Sequence, residues 1–290
     1  MKDVLVTGGA GFIGGHLCDL LVRQKGCHVV SLDNYSSGSY DNHVEGVEYI
    51  IGDTEHVSDL VDFAPDVVFH LGEYARVEQS FTNLSKVYAS NKVGTFHVLE
   101  FCRSRGCKIV YAGSSTKFGD GGLGRNQSPY AWTKATNTEL VVNYGRWFSL
   151  PYAITYFYNA YGPREVEAGE YATLIGIFKR KMRNHELLTV VRPGIQKRNF
   201  THVKDIVSGL SLVGEHGLGD EFGIGSDHSF SILEVAEIFG GNIEMLEERA
   251  GNRLTADVVT EKTKKLGWAQ EYNLADYVKS LSENNWMDVD

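Results

Sequence analysis

A tyrosine and a lysine lie four residues apart in the stretch SPYAWTK, at Tyr130 and Lys134. A helix places residues at this spacing on one face, although chance often produces such a pair on a protein surface. A free tyrosine phenol has a pKa of about 10 and is a poor base near neutral pH, but a neighbouring ammonium favours the phenolate. Ser114 ends the predicted buried strand KIVYAGS and could donate to an oxygen that the phenolate deprotonates. Ser114, Tyr130 and Lys134 are therefore the candidate catalytic residues for proton transfer.

A glycine-rich turn follows the first predicted strand, in the segment VLVTGGAGFIGGHL. Gly8 allows the turn, Gly11 allows backbone to approach a pyrophosphate, and Gly14 allows the following helix to pack against the strand. The N-terminus of that helix favours anions, and Asp33 ends the next strand, where a carboxylate suits ribose hydroxyls. The pattern predicts dinucleotide binding, with NAD favoured over NADP because Asp33 repels a 2′-phosphate. The positive nicotinamide ring would also favour the phenolate.

Apolar segments that suit buried strands alternate with amphipathic segments over the first 160 residues or so, which predicts a doubly wound parallel α/β sheet of the Rossmann type. After residue 162 the rhythm changes, and a smaller, interleaved C-terminal α/β substrate lobe is expected. We predict an NAD-binding domain from residues 1–160 plus roughly 199–226, and a substrate-binding lobe from residues 161–198 and 227–290.

Composition excludes several functional classes. The chain has 290 residues, a net charge of -9 and 42% hydrophobic residues, so no nucleic-acid partner is expected. The four cysteines are scattered and predict structural thiols rather than a metal site. No apolar run approaches the roughly 20 residues of a membrane helix. A cytoplasmic protein without a membrane or metal partner is expected.

Eight motifs together resemble the extended short-chain dehydrogenase/reductase family, in its NAD-dependent nucleotide-sugar epimerase/dehydratase branch, which includes UDP-glucose 4-epimerases. The resemblance covers nearly the whole chain. The motifs are TGGAGFIG (Thr7–Gly14), GD (Gly52-Asp53), HLG (His70–Gly72), SSTKFG (Ser114–Gly119), SPYAWTK (Ser128–Lys134), YNAYGP (Tyr158–Pro163), QKRNFTHVKDI (Gln196–Ile206) and LGW (Leu266–Trp268).

The resemblance implies roles for the matching residues, a nucleotide-sugar substrate (a UDP-sugar first of all) and a homodimer. Asn91 would lie within its helix near the active site. The implied cofactor contacts are Gly8, Gly11, Phe12, Ile13, Gly14, Asp33, Asn34, Asp53, Thr54, Leu71, Tyr130 and Lys134. The implied substrate contacts are Ser114, Asn159, Arg198 and Arg249, with Glu73 as a further candidate.

The reaction within this family is predicted from the two residues after Ser114. Relatives that resemble sugar 4,6-dehydratases carry an Asp-Glu pair there, whereas this chain has Ser115 and Thr116, neither of which is a useful acid near pH 7. We therefore predict a 4-epimerase. A dehydratase or decarboxylase, a redox enzyme that releases NADH, and a non-catalytic NAD-sensing module remain alternatives.

Two charged residues depart from the family pattern. Glu73 stands where similar proteins carry a small apolar residue, and Lys117 replaces an apolar residue. The strands that precede them should be neighbours. We expect an ion pair between Glu73 and Lys117 at the mouth of the active site, or an acid/base role for one of them in the second step of a dehydratase or decarboxylase.

Overall fold

The computed structural model describes residues 1–118, 124–247 and 258–288. Its strands are β1 (Asp3–Thr7), β2 (His28–Asp33), β3 (Val47–Ile51), β4 (Val67–His70), β5 (Lys108–Ser114), β6 (Tyr152–Phe157), β7 (Ala160–Tyr161), β8 (Leu188–Val191), β9 (Lys197–Arg198), β10 (Thr201–His202), β11 (Gly219–Ile224), β12 (Phe230–Ser231) and β13 (Ile243–Leu246). Its α-helices are α1 (Phe12–Arg23), α2 (Val57–Leu60), α3 (Leu84–Val87), α4 (Thr95–Arg105), α5 (Pro129–Phe148), α6 (Leu174–Arg183), α7 (Val203–His216), α8 (Ile232–Phe239), α9 (Glu261–Lys265) and α10 (Leu274–Glu283).

Seven strands form one parallel sheet in the order β11-β6-β5-β4-β1-β2-β3. The strand order reverses beside β1, and a crevice forms in such sheets at the carboxyl ends of the strands at this point. The predicted doubly wound Rossmann sheet is confirmed. β4 and β5 are neighbours, as the sequence predicted, with His70 opposite Tyr111.

Helices cover both faces of this sheet because its strands are apolar on both sides. On one face, α1 and α7 supply Leu17 and Leu210 to a buried cluster with Val6 of β1. On the other face, α4 and α5 supply Phe101 and Val141 to a second cluster. α5, which carries Tyr130 and Lys134, therefore packs on the sheet beside β5.

A third buried cluster forms outside the sheet, from α6, α8, α10 and β8. Its members include Phe178, Val235 and Val278, and apart from Phe200 its buried members come from the ranges 161–198 and 227–290. This core is consistent with the predicted lobe, whose boundaries stay a prediction. Within the described ranges, helices of the length and apolarity required to cross a membrane are absent.

Candidate active site

The turn between β1 and α1 requires glycine. Gly8 has φ +77°, and a Cβ there would lie 2.8 Å from the backbone nitrogen of Gly72. A Cβ at Gly14 would overlap the carbonyl oxygen of Gly8. Gly11 is the N-cap of α1 and contributes no side-chain cap, and the first turn contains no acidic residue. The N–H groups at this helix end are therefore available to an anion such as a pyrophosphate.

Asp33 is held rigidly beside this turn. Its Oδ2 accepts a hydrogen bond from the Ala10 N–H at 2.9 Å, and its Oδ1 accepts one from the Tyr35 N–H at 2.8 Å. Burial raises the pKa of this carboxyl, and the two backbone hydrogen bonds act in the opposite direction. Nearby, Asn34 donates to Asp53 at 2.6 Å. A carboxylate with free lone pairs beside a bare helix N-terminus fits the ribose and pyrophosphate of a dinucleotide.

The three candidate catalytic residues meet at the carboxyl end of β5. Ser128 caps α5 by accepting from the Ala131 N–H at 3.1 Å, and Pro129 occupies the first helical position, so the helix begins immediately before Tyr130. The Tyr130 hydroxyl donates to Ser114 Oγ at 3.3 Å. One turn later, the Lys134 ammonium donates to the backbone carbonyl of Ala112 on β5.

Lys134 also forms a buried ion pair with Glu73, which lies three residues after the end of β4. The other carboxylate oxygen, Oε1, accepts hydrogen bonds from Thr95 Oγ1 at 2.9 Å, the Tyr111 hydroxyl at 3.1 Å and Asn137 Nδ2 at 3.1 Å. Burial raises the pKa of Tyr111 well above its usual range, so its phenol remains a donor. The sequence analysis missed Thr95, Tyr111 and Asn137. The available signal was weak: Asn137 lies one helical turn after Lys134.

A hydrogen-bonded chain continues from Glu73 to the first strand. Thr95 donates its single proton to Glu73, so its oxygen accepts from His70 Nε2 at 3.0 Å. This tautomer leaves His70 Nδ1 to accept from the Thr7 hydroxyl at 2.7 Å. Burial lowers the pKa of His70 to about 4, so the ring is neutral near pH 7. The network therefore connects the end of β1 to Lys134.

The predicted ion pair between Glu73 and Lys117 is wrong. Lys117 instead donates to Asp220 at 2.6 Å and to the Tyr156 hydroxyl at 3.0 Å. Glu73 turns inward because several buried donors converge there, whereas Lys117 lies against the β6 and β11 side of the sheet. The inward orientation of Glu73 also does not fit the expected substrate contact.

Asn91 lies in a π-helical segment, Tyr88–Gly94, where it is fully buried. Its side-chain oxygen accepts from the Tyr74 N–H at 2.7 Å, and its side-chain nitrogen donates to the Tyr74 carbonyl at 3.1 Å. These two bonds fix the loop after β4. The same loop contacts the segment before α6, since the Tyr74 hydroxyl donates to Glu170 at 3.0 Å and Arg76 donates to the Tyr171 carbonyl.

Two of the expected substrate contacts are close together. Asn159, at φ 37°, follows β6 and donates to the Asn199 carbonyl at 3.3 Å. Asn199 is next to Arg198, which lies on β9. Arg249 lies outside the described residues. Of the residues that are described, no group of three or more His, Cys, Asp or Glu side chains could hold a metal ion.

Comparisons with known proteins indicate the family of this chain. The sequence pattern of the NAD dependent epimerase/dehydratase family matches residues 4–225. The chain is 29% identical to a putative UDP-glucose 4-epimerase of Methanocaldococcus jannaschii, over 98% of both proteins. It is 32% identical to the UDP-N-acetyl-alpha-D-glucosaminuronate decarboxylase of Bacillus cytotoxicus, over 81% of this chain and 78% of that protein.

Among solved structures, the UDP-glucose 4-epimerase of Thermotoga maritima with UDP-glucose superposes with a TM-score of 0.88 at 27% identity, over 98% of both chains. The family match, the glycine-rich turn and the Asp33 carboxylate all indicate the same cofactor, NAD. The chain belongs to the NAD-dependent epimerase/dehydratase family.

Proposed function

We propose that this protein is a nucleotide-sugar 4-epimerase that acts on a UDP-hexose through a transient 4-keto sugar. The observation that carries the proposal is the convergence of Ser114, Tyr130 and Lys134 at the carboxyl end of β5, two strands from β1 and its glycine-rich turn. Ser115 and Thr116 support it, because neither hydroxyl can replace the acid that a dehydratase needs. The Thermotoga maritima and Methanocaldococcus jannaschii proteins support UDP-glucose as the first substrate to test.

Each of the three side chains has a role in this reaction. The Tyr130 phenolate removes the proton from the C4 hydroxyl, while Ser114 donates a hydrogen bond to the same oxygen. Lys134 supports the phenolate with its charge. NAD, when bound, supplies a reversible hydride acceptor at C4, so the reaction has no net oxidation. The Tyr130 phenol would then return its proton to the same oxygen as the opposite epimer forms.

The remaining contacts follow the same proposal. Asn159, Arg198 and Arg249 would hold the diphosphate of the substrate, because Arg side chains match phosphate oxygens. The cofactor would be held by the set Gly8, Gly11, Phe12, Ile13, Gly14, Asp33, Asn34, Asp53, Thr54, Leu71, Tyr130 and Lys134.

A homodimer is also part of the proposal. Large side chains are exposed on α4, α5 and the segment between α3 and α4, which pack against one another. They are Tyr88, Phe96, Trp132, Trp147 and Phe148, at 42% to 61% exposure. A second copy that packs through the same helices would cover them. Light scattering should give twice the mass of the chain, and Trp132→Glu with Trp147→Glu should give the monomer mass.

The function is tested with a panel of UDP- and dTDP-sugars, by chromatography coupled to mass spectrometry. A new peak of unchanged mass is expected, and Tyr130→Phe should slow its formation by about 10²–10⁴-fold, the usual contribution of a general base. A product lighter by water or by carbon dioxide would instead identify a dehydratase or a decarboxylase. Net accumulation of NADH would identify a dehydrogenase.

A further inference from the structure

Glu73 and Lys134 form an ion pair that is almost completely buried. The exposed fractions are 2% for the Glu73 side chain and 6% for Lys134. A buried pair is tolerated only when the remaining lone pairs and protons are also bonded. Glu73 meets this condition, because Thr95, Tyr111 and Asn137 all donate to its second oxygen. Both carboxylate oxygens therefore have bonded partners directly behind the proposed catalytic lysine.

The pair also fixes the position of the ammonium. An ammonium has three N–H groups, and one bonds Glu73 while another bonds the Ala112 carbonyl. The Tyr111 ring, with its centroid 4.9 Å from Nζ, packs against the same group. One N–H group is left for the side where the cofactor ribose would lie. Because Glu73 adds an opposite charge, the two residues act on Tyr130 as a nearly neutral unit.

We propose that Glu73 is the fixed counter-ion of Lys134, and that it sets the pH range in which Tyr130 acts as a base by cancelling part of the positive field of Lys134. Glu73 is a positioning residue, since it acts through Lys134, with which it is paired. The inference deepens the proposed function and rests on it for the role of Tyr130 as the base.

Other charged and titratable groups also face this site. They are His70 on β4, Arg76 on the loop after β4, Lys92 on the π-helical segment, Tyr111 on β5 and Tyr171 before α6. Glu73 is close enough to His70, Lys92 and Tyr111 to influence their pKa values. Burial is the largest influence on each of these three pKa values, and it keeps His70 neutral near pH 7 and Tyr111 protonated.

The decisive variant is Glu73→Gln, which keeps the shape and removes the charge. Its matched control is Tyr111→Phe, which removes one hydrogen bond to Glu73 and keeps both charges. Ionisation of Tyr130 is followed by NMR in protein labelled with [13Cζ]tyrosine, and the signal is assigned by its loss in Tyr130→Phe. The titration is made without and with NAD, and without substrate.

In Glu73→Gln the midpoint of the Tyr130 titration should fall by about one pH unit or more, because the lysine charge is no longer compensated. The rising limb of the pH–rate profile should move in the same direction. In Tyr111→Phe both should stay at the wild-type position. A midpoint in Glu73→Gln that is unchanged or higher would overturn the proposal.

If Glu73→Gln does not fold, Glu73→Ala provides the same test, since a small apolar residue is usual here in similar proteins. The titration needs no turnover, so it separates the two proposals. If the midpoint of the Tyr130 titration falls but no epimer forms, the counter-ion role of Glu73 stands and the 4-epimerase activity is contradicted. If an epimer forms but the midpoint is unchanged, the 4-epimerase activity stands and the counter-ion role is contradicted.

Discussion

Two lysine–carboxylate pairs involve a residue that follows β4 or β5, and the two pairs differ in burial. In the pair Lys134–Glu73 the side chains are 6% and 2% exposed, whereas in Lys117–Asp220 they are 35% and 24% exposed. The buried pair is tied to Thr95, Tyr111 and other donors, whereas the second pair faces water on one side.

The difference indicates that a position beside β5 does not by itself decide how strongly a charged pair stabilises the fold. Water screens a half-exposed pair, and such pairs contribute about 0–1 kcal/mol to stability. A buried pair is screened much less, and loss of one partner leaves a charge that costs about 3–5 kcal/mol. Of these two pairs, the buried one includes a residue of the proposed catalytic set, Lys134. The experiments below test this contrast, from the largest expected effect to the smallest.

Lys134→Met should have the largest effect on stability. It leaves the Glu73 carboxylate buried without its cation, so the free energy of unfolding should fall by about 3–5 kcal/mol. Urea denaturation followed by circular dichroism measures this loss. A loss below about 1 kcal/mol would show that the buried pair behaves like a surface pair.

Acid should weaken the network around the buried pair through His70. Burial lowers the pKa of His70 to about 4 from its ordinary 6.5, so the folded state binds this proton less readily than the unfolded state. The resulting stabilisation is complete above about pH 6.5 and is lost as the pH falls to about 4. The free energy of unfolding should fall by about 3 kcal/mol over this pH range.

The test compares wild type with His70→Gln by urea denaturation from pH 7 to pH 4. The variant should lose less stability over this range, while Lys117→Met should keep the wild-type dependence. If the free energy of unfolding fell equally with pH in His70→Gln and in the wild type, the prediction would be contradicted.

Glu73→Gln should have an intermediate effect on stability. The amide oxygen can still accept from Lys134, but its NH2 group faces donors, so at least one buried donor loses its acceptor. We expect a loss of about 1–3 kcal/mol in the free energy of unfolding. Glu73→Asp is the control that retains the charge. A loss in Glu73→Asp that matched the loss in Glu73→Gln would attribute the effect to packing rather than to hydrogen bonding and charge.

Lys117→Met should have the smallest effect, about 1 kcal/mol or less in unfolding free energy. The variant loses the ammonium that lies 5.4 Å and 5.2 Å from the Phe118 and Tyr156 ring centroids, but a thioether also makes favourable contacts with aromatic rings. Turnover of the nucleotide sugar should remain near the wild-type value. A large loss of turnover would mean that Lys117 takes part in the reaction after all.

The sequence by itself determined what depends on neighbours along the chain. Gly8, Gly11 and Gly14 specify a strand, a turn and a helix within one short segment. Tyr130 and Lys134 share a helix face because of their spacing. The position of Ser114 at the edge of the sheet was predictable because Ser114 ends a predicted strand. The parallel sheet follows from the continuous apolar strands, and the eight motifs in family order predicted the family.

The tertiary structure decided the partners of the isolated charges. The sequence analysis marked Glu73 and Lys117 as unusual and paired them with each other, because their strands are neighbours. Lys134 and the buried donors converge on Glu73 from three elements: Thr95 on α4, Tyr111 on β5, and Lys134 and Asn137 on α5. Asp220 reaches Lys117 from β11. A side chain bonds the groups that lie within about 3 Å in the folded chain, and for residues far apart in sequence only the packing of helices on the sheet determines which groups those are.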